Sequence, residues 1–306
     1  MATAAGRFAP SPTGPLHLGN LRTALLAWLF ARSSGSSFVV RMEDLDAATA
    51  RPEHEASQLA DLAVLGLDWD GPVVRQSERR ARHDAAIARL DDAGLTYACF
   101  CSRREIRDAA AAPNRPDQPE GAYPGTCRDL TDAQRSARAR DGRPPALRVR
   151  AGDEVVAVVD RLRGRYEATV DDFVLRRGDG TPAYNLAVVV DDADQGIEEV
   201  VRADDLLSST PRQVLLARLL ALRVPAYAHV PLVLAPDGSR LAKRHGAVTL
   251  ADRAARGESP ADVLGLLAAS LGLAPAGRAT AVEHLLDRFD PALLPLDPWQ
   301  LSPADV

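Results

Sequence analysis

The sequence predicts an α/β fold: a parallel sheet interrupted by an α+β insertion and followed by a helical C-terminal region. Three observations lead there. Short apolar runs alternate with helix-period segments before residue 97 and again after 183, the pattern of strands joined by crossover helices. Between these stretches the alternation breaks into a Pro/Gly-rich loop and short strands that read as antiparallel. Beyond Gly246 the chain shows Ala/Leu periodicity with Pro breaks, which reads as helices. The division is therefore 1–97 with 183–235 as the sheet domain, 98–182 as the insertion, and 236–306 as a loop and helical region.

The elements follow in order. Residues 7–9 are extended, and Pro10, Pro12, Gly14 and Pro15 punctuate a turn. Leu18–Arg32 reads as a helix because Leu18, Leu21, Leu25, Leu26, Leu29 and Phe30 recur at helical spacing. Phe38–Met42 is an apolar strand that runs into Glu43 and Asp44. Pro52–Gly66 and Ser77–Gly94 read as helices, and Thr96–Cys101 as a strand. In the insertion, a helix-like piece precedes the loop Pro113–Gly125 and a polar helix. Leu147–Arg150, Val155–Val159 and Tyr166–Val170 read as strands. The first pattern resumes with strands at Leu186–Val190 and Val200–Arg202, a helix over Thr210–Leu222 and a strand at Val230–Leu234.

Composition limits the possible functions. With 46% hydrophobic and 26% charged residues, the chain is neither disordered nor collagen-like. Its apolar stretches, such as Val214–Leu222 with Arg218 inside, fall short of a bilayer span. Arg7, Pro10 and Pro12 interrupt any signal-peptide core, so the expected place is the cytoplasm, with no membrane partner. The net charge of −5 gives no overall attraction to nucleic acid, yet residues 135–165 hold nine Arg against four acids. Charge alone leaves a phosphate-facing surface and an ordinary solvated face equally open. Lys243 is the only lysine among 37 basic residues, a rarity that draws attention because a compact ammonium and a planar guanidinium are not interchangeable.

Two local patterns suggest chemistry. His17-Leu18-Gly19-Asn20 sits at a strand–helix junction, where free N–H groups favour an anion, Gly19 permits close approach, and His17 and Asn20 add donors. It is not a Walker loop. Cys99 and Cys101, two apart on an expected strand, face one way, and Cys127 follows a tight loop after Tyr123. Three thiols so grouped suggest a metal, with Tyr123 as the nearest fourth ligand because the insertion has no histidine. Three buried thiols acting as small hydrophobes remain the alternative.

The first pattern, taken with its flanks, resembles the HIGH signature of class I aminoacyl-tRNA synthetases. Arg7–Pro15, Asn20–Ala24, Arg41-Met42-Glu43-Asp44, Leu67–Pro72 and Gln76–Arg79 are similar to the glutamyl branch. Arg240-Leu241-Ala242-Lys243-Arg244 resembles the KMSKS loop, although Arg240 replaces its first lysine and Ala242 its serine. Cys-x-Cys and Tyr-x3-Cys, with Ala183–Asp192, Gln195-Gly196 and Thr210–Gln213, resemble a truncated branch of these synthetases. A discriminating member carries a further anticodon-binding region, for which the 306 residues leave no room.

The resemblance implies a Rossmann-like catalytic domain bearing a zinc-containing insertion. It implies activation of glutamate with ATP and Mg²⁺, then transfer of glutamate to queuosine in the anticodon loop of tRNA(Asp). His17, Gly19, Asn20 and Lys243 would meet ATP, with His17, Asn20 and Lys243 the catalytic set. Arg7, Ser11, Glu43, Tyr184 and Arg202 would bind glutamate: Glu43 the ammonium, and Arg202 with Tyr184 the side-chain carboxylate. Cys99, Cys101, Tyr123 and Cys127 would hold one structural Zn²⁺ per chain. Two other outcomes stay open: an adenylate-forming enzyme with another acceptor, and a non-catalytic adenylate- or tRNA-binding paralogue.

Overall fold

The computed structural model describes residues 4–102, 104–106, 122–140, 142–241 and 248–305. Its main sheet has seven strands in the order β3-β2-β1-β9-β10-β6-β7. They are β1 (Ala5–Phe8), β2 (Ser37–Met42), β3 (Val74–Arg75), β6 (Val155–Asp160), β7 (Gly164–Thr169), β9 (Ile197–Ala203) and β10 (Ala226–Val230). All neighbours pair in parallel except the β6–β7 hairpin. The chain leaves β1 for β2 on one side, whereas β9 lies on the other. This reversal opens a crevice at the carboxyl ends of β1 and β9, where open α/β sheets bind ligands.

Helix α1 (Leu18–Ser33) fills the space against β1 and β2 and is buried nearly all round, because the C-terminal helices cover its outer side. Gly6 allows the close packing: a Cβ there would stand 2.9 Å from Cβ of Ala31. Arg22 on α1 is also buried; it donates to the carbonyl of Pro231 at 2.9 Å and to Ser270 Oγ at 3.0 Å, tying the helix to the C-terminal region. Burial lowers its pKa to about 10, which leaves it charged at neutral pH. The Leu67–Pro72 segment is structural: Asp70 accepts the backbone N–H of Phe38 at 2.8 Å and pairs with Arg32 at 2.6 Å.

Among the described residues the further α-helices include α2 (Pro52–Val64), α3 (Arg80–Asp92), α4 (Asp132–Arg140), α5 (Tyr184–Asp194), α6 (Thr210–Leu219), α7 (Leu250–Ala255), α8 (Pro260–Ala269) and α9 (Val282–Leu286). Among the described residues, no helix is long and apolar enough to cross a membrane.

Several elements differ from expectation. Leu186–Val190 lies within helix α5, not a strand. Leu186 to Asp192 are buried without a break, because α5 is packed between other elements, and such a run carries no period that separates strand from helix. The strand beginning at Thr96 (β4, Thr96–Cys99) stops before Cys101. Pro231 divides the expected Val230–Leu234 strand, giving β10 and a short β11 (Val233–Leu234). β11 pairs with β12 (Trp299–Gln300), a strand inside the region read as helical. Within 98–182, β5 (Ala146–Val149) and β8 (Val174–Arg176) form a separate antiparallel sheet with β4, whereas the β6–β7 hairpin extends the main sheet. Most of the loop Pro113–Gly125 lies outside the described residues.

Candidate active site

The crevice at the switch point is a cleft of about 550 Å³. Its lining contains Arg7, Ser11, His17, Asn20, Glu43, Tyr184 and Arg202, seven residues drawn from five stretches of sequence. The turn that carries Ser11 is fixed from behind by Gln58 of α2, whose side-chain amide donates to the carbonyls of Ser11 at 3.0 Å and Gly14 at 2.7 Å.

His17 caps α1. Its Nδ1 accepts the backbone N–H of Asn20 at 3.2 Å, and Asn20 Oδ1 accepts the backbone N–H of His17 at 3.2 Å. With Nδ1 accepting, the ring proton resides on Nε2. Gly19 suits this cap: a Cβ there would stand 3.0 Å from the His17 ring, which would have to give way by a few tenths of an ångström. The junction thus offers the positive end of α1 beside an imidazole donor, an arrangement suited to an anionic group.

Below the cleft lies a buried charge network. Arg41 on β2 has no exposed side-chain surface; its Nη1 donates to Asp192 Oδ1 and Gln195 Oε1, both at 2.7 Å. Asp192 also takes Arg7 Nε at 3.4 Å, and Arg7 Nη1 donates to the carbonyl of Val201 at 3.1 Å. Glu43 faces Arg41 across 3.6 Å, a charge contact longer than a hydrogen bond, so its oxygens keep acceptor capacity for a ligand. Burial raises the Glu43 pKa above its ordinary value, against the opposing pull of Arg41 and Arg7. Arg202 and Tyr184 also line the cleft, with Arg202 Nη1 3.4 Å from the Tyr184 hydroxyl. The cleft therefore offers a carboxylate together with guanidinium and phenol groups, a set that fits a zwitterion bearing an additional carboxylate.

Gln76, Arg79 and His83 converge on Asp191, one residue before Asp192, at 2.9, 2.6 and 3.0 Å. The Gln76–Arg79 motif thereby anchors helix α5. Sequence reasoning missed Arg41 and Gln58 as organisers of the site; both sit in recognisable stretches, but only burial exposes their role.

Lys243 lies outside the described residues. The described flanks of its segment adjoin the cleft: Arg240 lines it and pairs with Asp205 at 2.7 Å, and the carbonyl of Val248 accepts the backbone N–H of Leu18 at 2.8 Å.

Cys99, Cys101 and Cys127 come together, their sulfurs all within 4.8 Å of one another. Tetrahedral zinc with thiolates about 2.3 Å away would set sulfurs roughly 3.8 Å apart, within that spread. The Tyr123 hydroxyl lies 3.4 Å from Cys99 Sγ and 3.7 Å from Cys101 Sγ, and it accepts the backbone N–H of Cys127 at 2.8 Å. Three sulfurs and one oxygen therefore fit a closed four-ligand site. Burial opposes ionisation of Cys99, but Tyr123 and the charge of Arg148 outweigh it and hold the thiol below its usual pKa. Burial pushes Cys101 up to about 12, and the Tyr123 phenol is also raised, so full ionisation of this set requires a cation. The cluster is tied to the main body through Asp171, which accepts the N–H of Tyr123 at 2.9 Å and pairs with Arg212 of α6 at 2.6 Å.

A second cavity, about 900 Å³, opens between the cleft and this cluster. It shares Ser11, Glu43 and Tyr184 with the first, and Cys99, Cys101, Arg148 and Arg177 line its far side.

Comparison with known proteins agrees with this geometry. A family model described as tRNA synthetases class I (E and Q), catalytic domain, matches residues 4–283. The glutamyl-Q tRNA(Asp) synthetase of Nocardia farcinica is 64% identical, over 97% of this chain and 93% of its own length. That of Symbiobacterium thermophilum is 49% identical, over 98% of this chain and 96% of its own. Glutamate–tRNA ligase 1 of Alkalilimnicola ehrlichii is 45% identical over 87% of this chain, which spans 56% of that longer protein. Among solved structures, a glutamate tRNA ligase from Elizabethkingia meningosepticum in complex with its amino acid has a TM-score of 0.83 at 28% identity. The match covers 99% of this chain and 68% of that one.

The network yields a stability prediction. Arg41→Met leaves Asp192 and Glu43 buried without their main countercharge, and breaking such a pair costs about 3–5 kcal/mol. Urea denaturation is expected to show a loss of that size, whereas the exposed Arg165→Met is expected to change stability by less than about 0.5 kcal/mol.

Proposed function

The chain belongs to the class I tRNA synthetases of the E and Q group, and from that premise we propose that it activates glutamate without tRNA and then transfers it to queuosine in the anticodon loop of tRNA(Asp). The observation that carries the first step is the cleft itself, in which Arg7, Glu43, Tyr184 and Arg202 surround a space beside the α1 N-terminus. Two near-full-length relatives named glutamyl-Q tRNA(Asp) synthetase support the second.

Glu43 accepts hydrogen bonds from the substrate ammonium, and Arg202 with Tyr184 holds the side-chain carboxylate. Arg7 and Ser11 complete the amino-acid site. An oxygen of the α-carboxylate attacks the α-phosphorus of ATP, the bond from that phosphorus to the α,β-bridging oxygen breaks, and pyrophosphate leaves as glutamyl adenylate forms. There is little covalent work for the protein here; positioning and charge stabilisation provide the acceleration. His17, Asn20 and the backbone at Gly19 contact ATP, and Lys243 meets the charge that builds on the leaving pyrophosphate. Mg²⁺ arrives with ATP.

In the second step a nucleophilic oxygen of queuosine attacks the adenylate carbonyl and AMP leaves. The second cavity supports this order of events, since it meets the cleft at Glu43 and Tyr184, within reach of an activated carboxyl group. Its Arg143, Arg148 and Arg177 suit a polyanionic acceptor. Cys99, Cys101, Tyr123 and Cys127 would hold Zn²⁺, whose contribution is structural cross-linking of the insertion, because four protein ligands leave no open position. The chemistry belongs in the cytoplasm, where charged tRNA is made and used.

Three outcomes test this reading. Labelled glutamate is expected to appear on tRNA(Asp) containing queuosine and not on the same tRNA lacking it; equal labelling would refute the acceptor assignment. Purified protein is expected to contain about one zinc per chain, and Cys101→Ala is expected to lose most of it; a metal-free, stably folded wild type would contradict the site. Lys243→Arg is expected to slow activation at least about tenfold, or ~1.4 kcal/mol of transition-state stabilisation. Pyrophosphate exchange into ATP reads that rate, and a near-normal value would remove Lys243 from the mechanism.

A further inference from the structure

Arg202 is held from behind by groups that do not line the cleft. Its Nε lies 3.0 Å from His229 Nε2, and its Nη2 lies 2.9 Å from Thr210 Oγ1. His229 sits beside it on β10, in register with Arg202 on β9. On the far side of the imidazole, His229 Nδ1 is 2.6 Å from Asp160 Oδ2. The side chains of His229 and Asp160 have no solvent exposure. Asp160 is itself fixed, accepting the backbone N–H groups of Leu162 at 3.0 Å, Arg163 at 2.9 Å and His229 at 3.1 Å.

The donors and acceptors of this chain have one consistent assignment. A guanidinium can only donate, so His229 Nε2 must accept from Arg202. The ring proton is then on Nδ1, where the Asp160 carboxylate accepts it. Burial keeps the His229 pKa below its ordinary value despite the nearby carboxylate, in agreement with a neutral ring. The arrangement also gives the β6–β7 hairpin a purpose. Asp160 ends β6, and its register with Tyr227 brings the carboxylate under His229.

We propose that Asp160 and His229 are positioning residues that lock the Nε edge of Arg202, so that Nη1, beside the Tyr184 hydroxyl, faces the cleft in one orientation and selects a substrate with a side-chain carboxylate. The inference rests on the reading of Arg202 as the group that meets that carboxylate. An Arg side chain has several rotatable bonds, and fixing it before binding removes the ordering cost from the bound complex.

The test uses the full chain in tRNA-free pyrophosphate exchange, with glutamate and ATP varied separately and glutamine as the uncharged comparison. His229→Asn keeps a donor toward Asp160 but offers nothing to Arg202 Nε. Loss of a hydrogen bond to a charged group predicts a KM for glutamate raised at least about tenfold, with KM for ATP within about twofold. Preference for glutamate over glutamine is expected to shrink by a similar factor. His229→Gln can place Oε1 where Nε2 stood, and it is expected to recover most of the loss. Asp160→Asn can donate to Nδ1, which moves the ring proton to Nε2 against Arg202, so it is expected to reproduce the His229→Asn pattern if that variant does not fold. A merely structural role gives a different result: Asn and Gln at 229 would lower thermal stability and kcat alike, with no selective change in KM for glutamate. That result overturns the proposal. Arg202→Leu separates the two readings: unchanged KM for glutamate there would refute the role of Arg202 itself, whereas a large rise there with none in His229→Asn would refute only the positioning role.

Discussion

A guanidinium with no solvent access sets the conditions for the rest of this molecule. Taking Arg41 out of water is costly and is tolerated only because Asp192 and Gln195 meet it at 2.7 Å, with Glu43 nearby. Those partners lie on α5 and its C-terminal turn, so satisfying one charge on β2 fixes where that helix must lie. Once α5 is fixed, Tyr184 at its first turn is carried to the cleft, and Asp192 reaches Arg7 on β1. Asp191, one residue earlier, gathers Gln76, Arg79 and His83 and locks the same helix from its other side. Tyr184 and Arg7 thus inherit their positions from Arg41, Asp192 and Gln195, none of which lines the cleft.

The same logic separates the two cavities. The smaller lies at the carboxyl ends of β1 and β9, where a helix N-terminus and a buried arginine layer favour an anionic amino acid and a nucleotide. The larger lies between that cleft and the cysteine cluster, and its arginines suit a larger acceptor. Ser11, Glu43 and Tyr184 belong to both. A molecule activated in one cavity would therefore present its carbonyl to the other without leaving the protein, consistent with the proposed two-step reaction. The residues 98–182 serve both sides: the small sheet ends at Cys99 of the cysteine cluster, and the β6–β7 hairpin carries Asp160, which meets His229 behind Arg202.

Much of this was legible in the sequence. Of the eight described residues that the motifs assign to glutamate or ATP, seven line one cleft, and Gly19 is not part of its lining. The three cysteines were grouped from spacing alone, although Cys101 lies beyond the end of its strand. The failures have physical causes. Leu186–Val190 is an apolar run whose helical state depends on what packs around it, and no local period records that. Asp160 and His229 stand 69 positions apart, and neither belongs to a recognisable pattern; only the parallel pairing of β6 with β10 brings them together. Arg41 was visible as a letter in a motif, but its complete burial follows from tertiary packing. Lys243, the only lysine in the chain, has its assignment from sequence alone.

The central claim is that the cleft is a self-sufficient glutamate-activating site. The most direct measurement is exchange of labelled pyrophosphate into ATP by the purified chain in the absence of any tRNA, with glutamate, glutamine or aspartate as the amino acid. The account predicts exchange with glutamate, and little with glutamine, which lacks the side-chain carboxylate proposed to meet Arg202, or with aspartate, whose side chain is one methylene shorter. Absence of exchange with glutamate until tRNA is added, or equal exchange with all three amino acids, would contradict it.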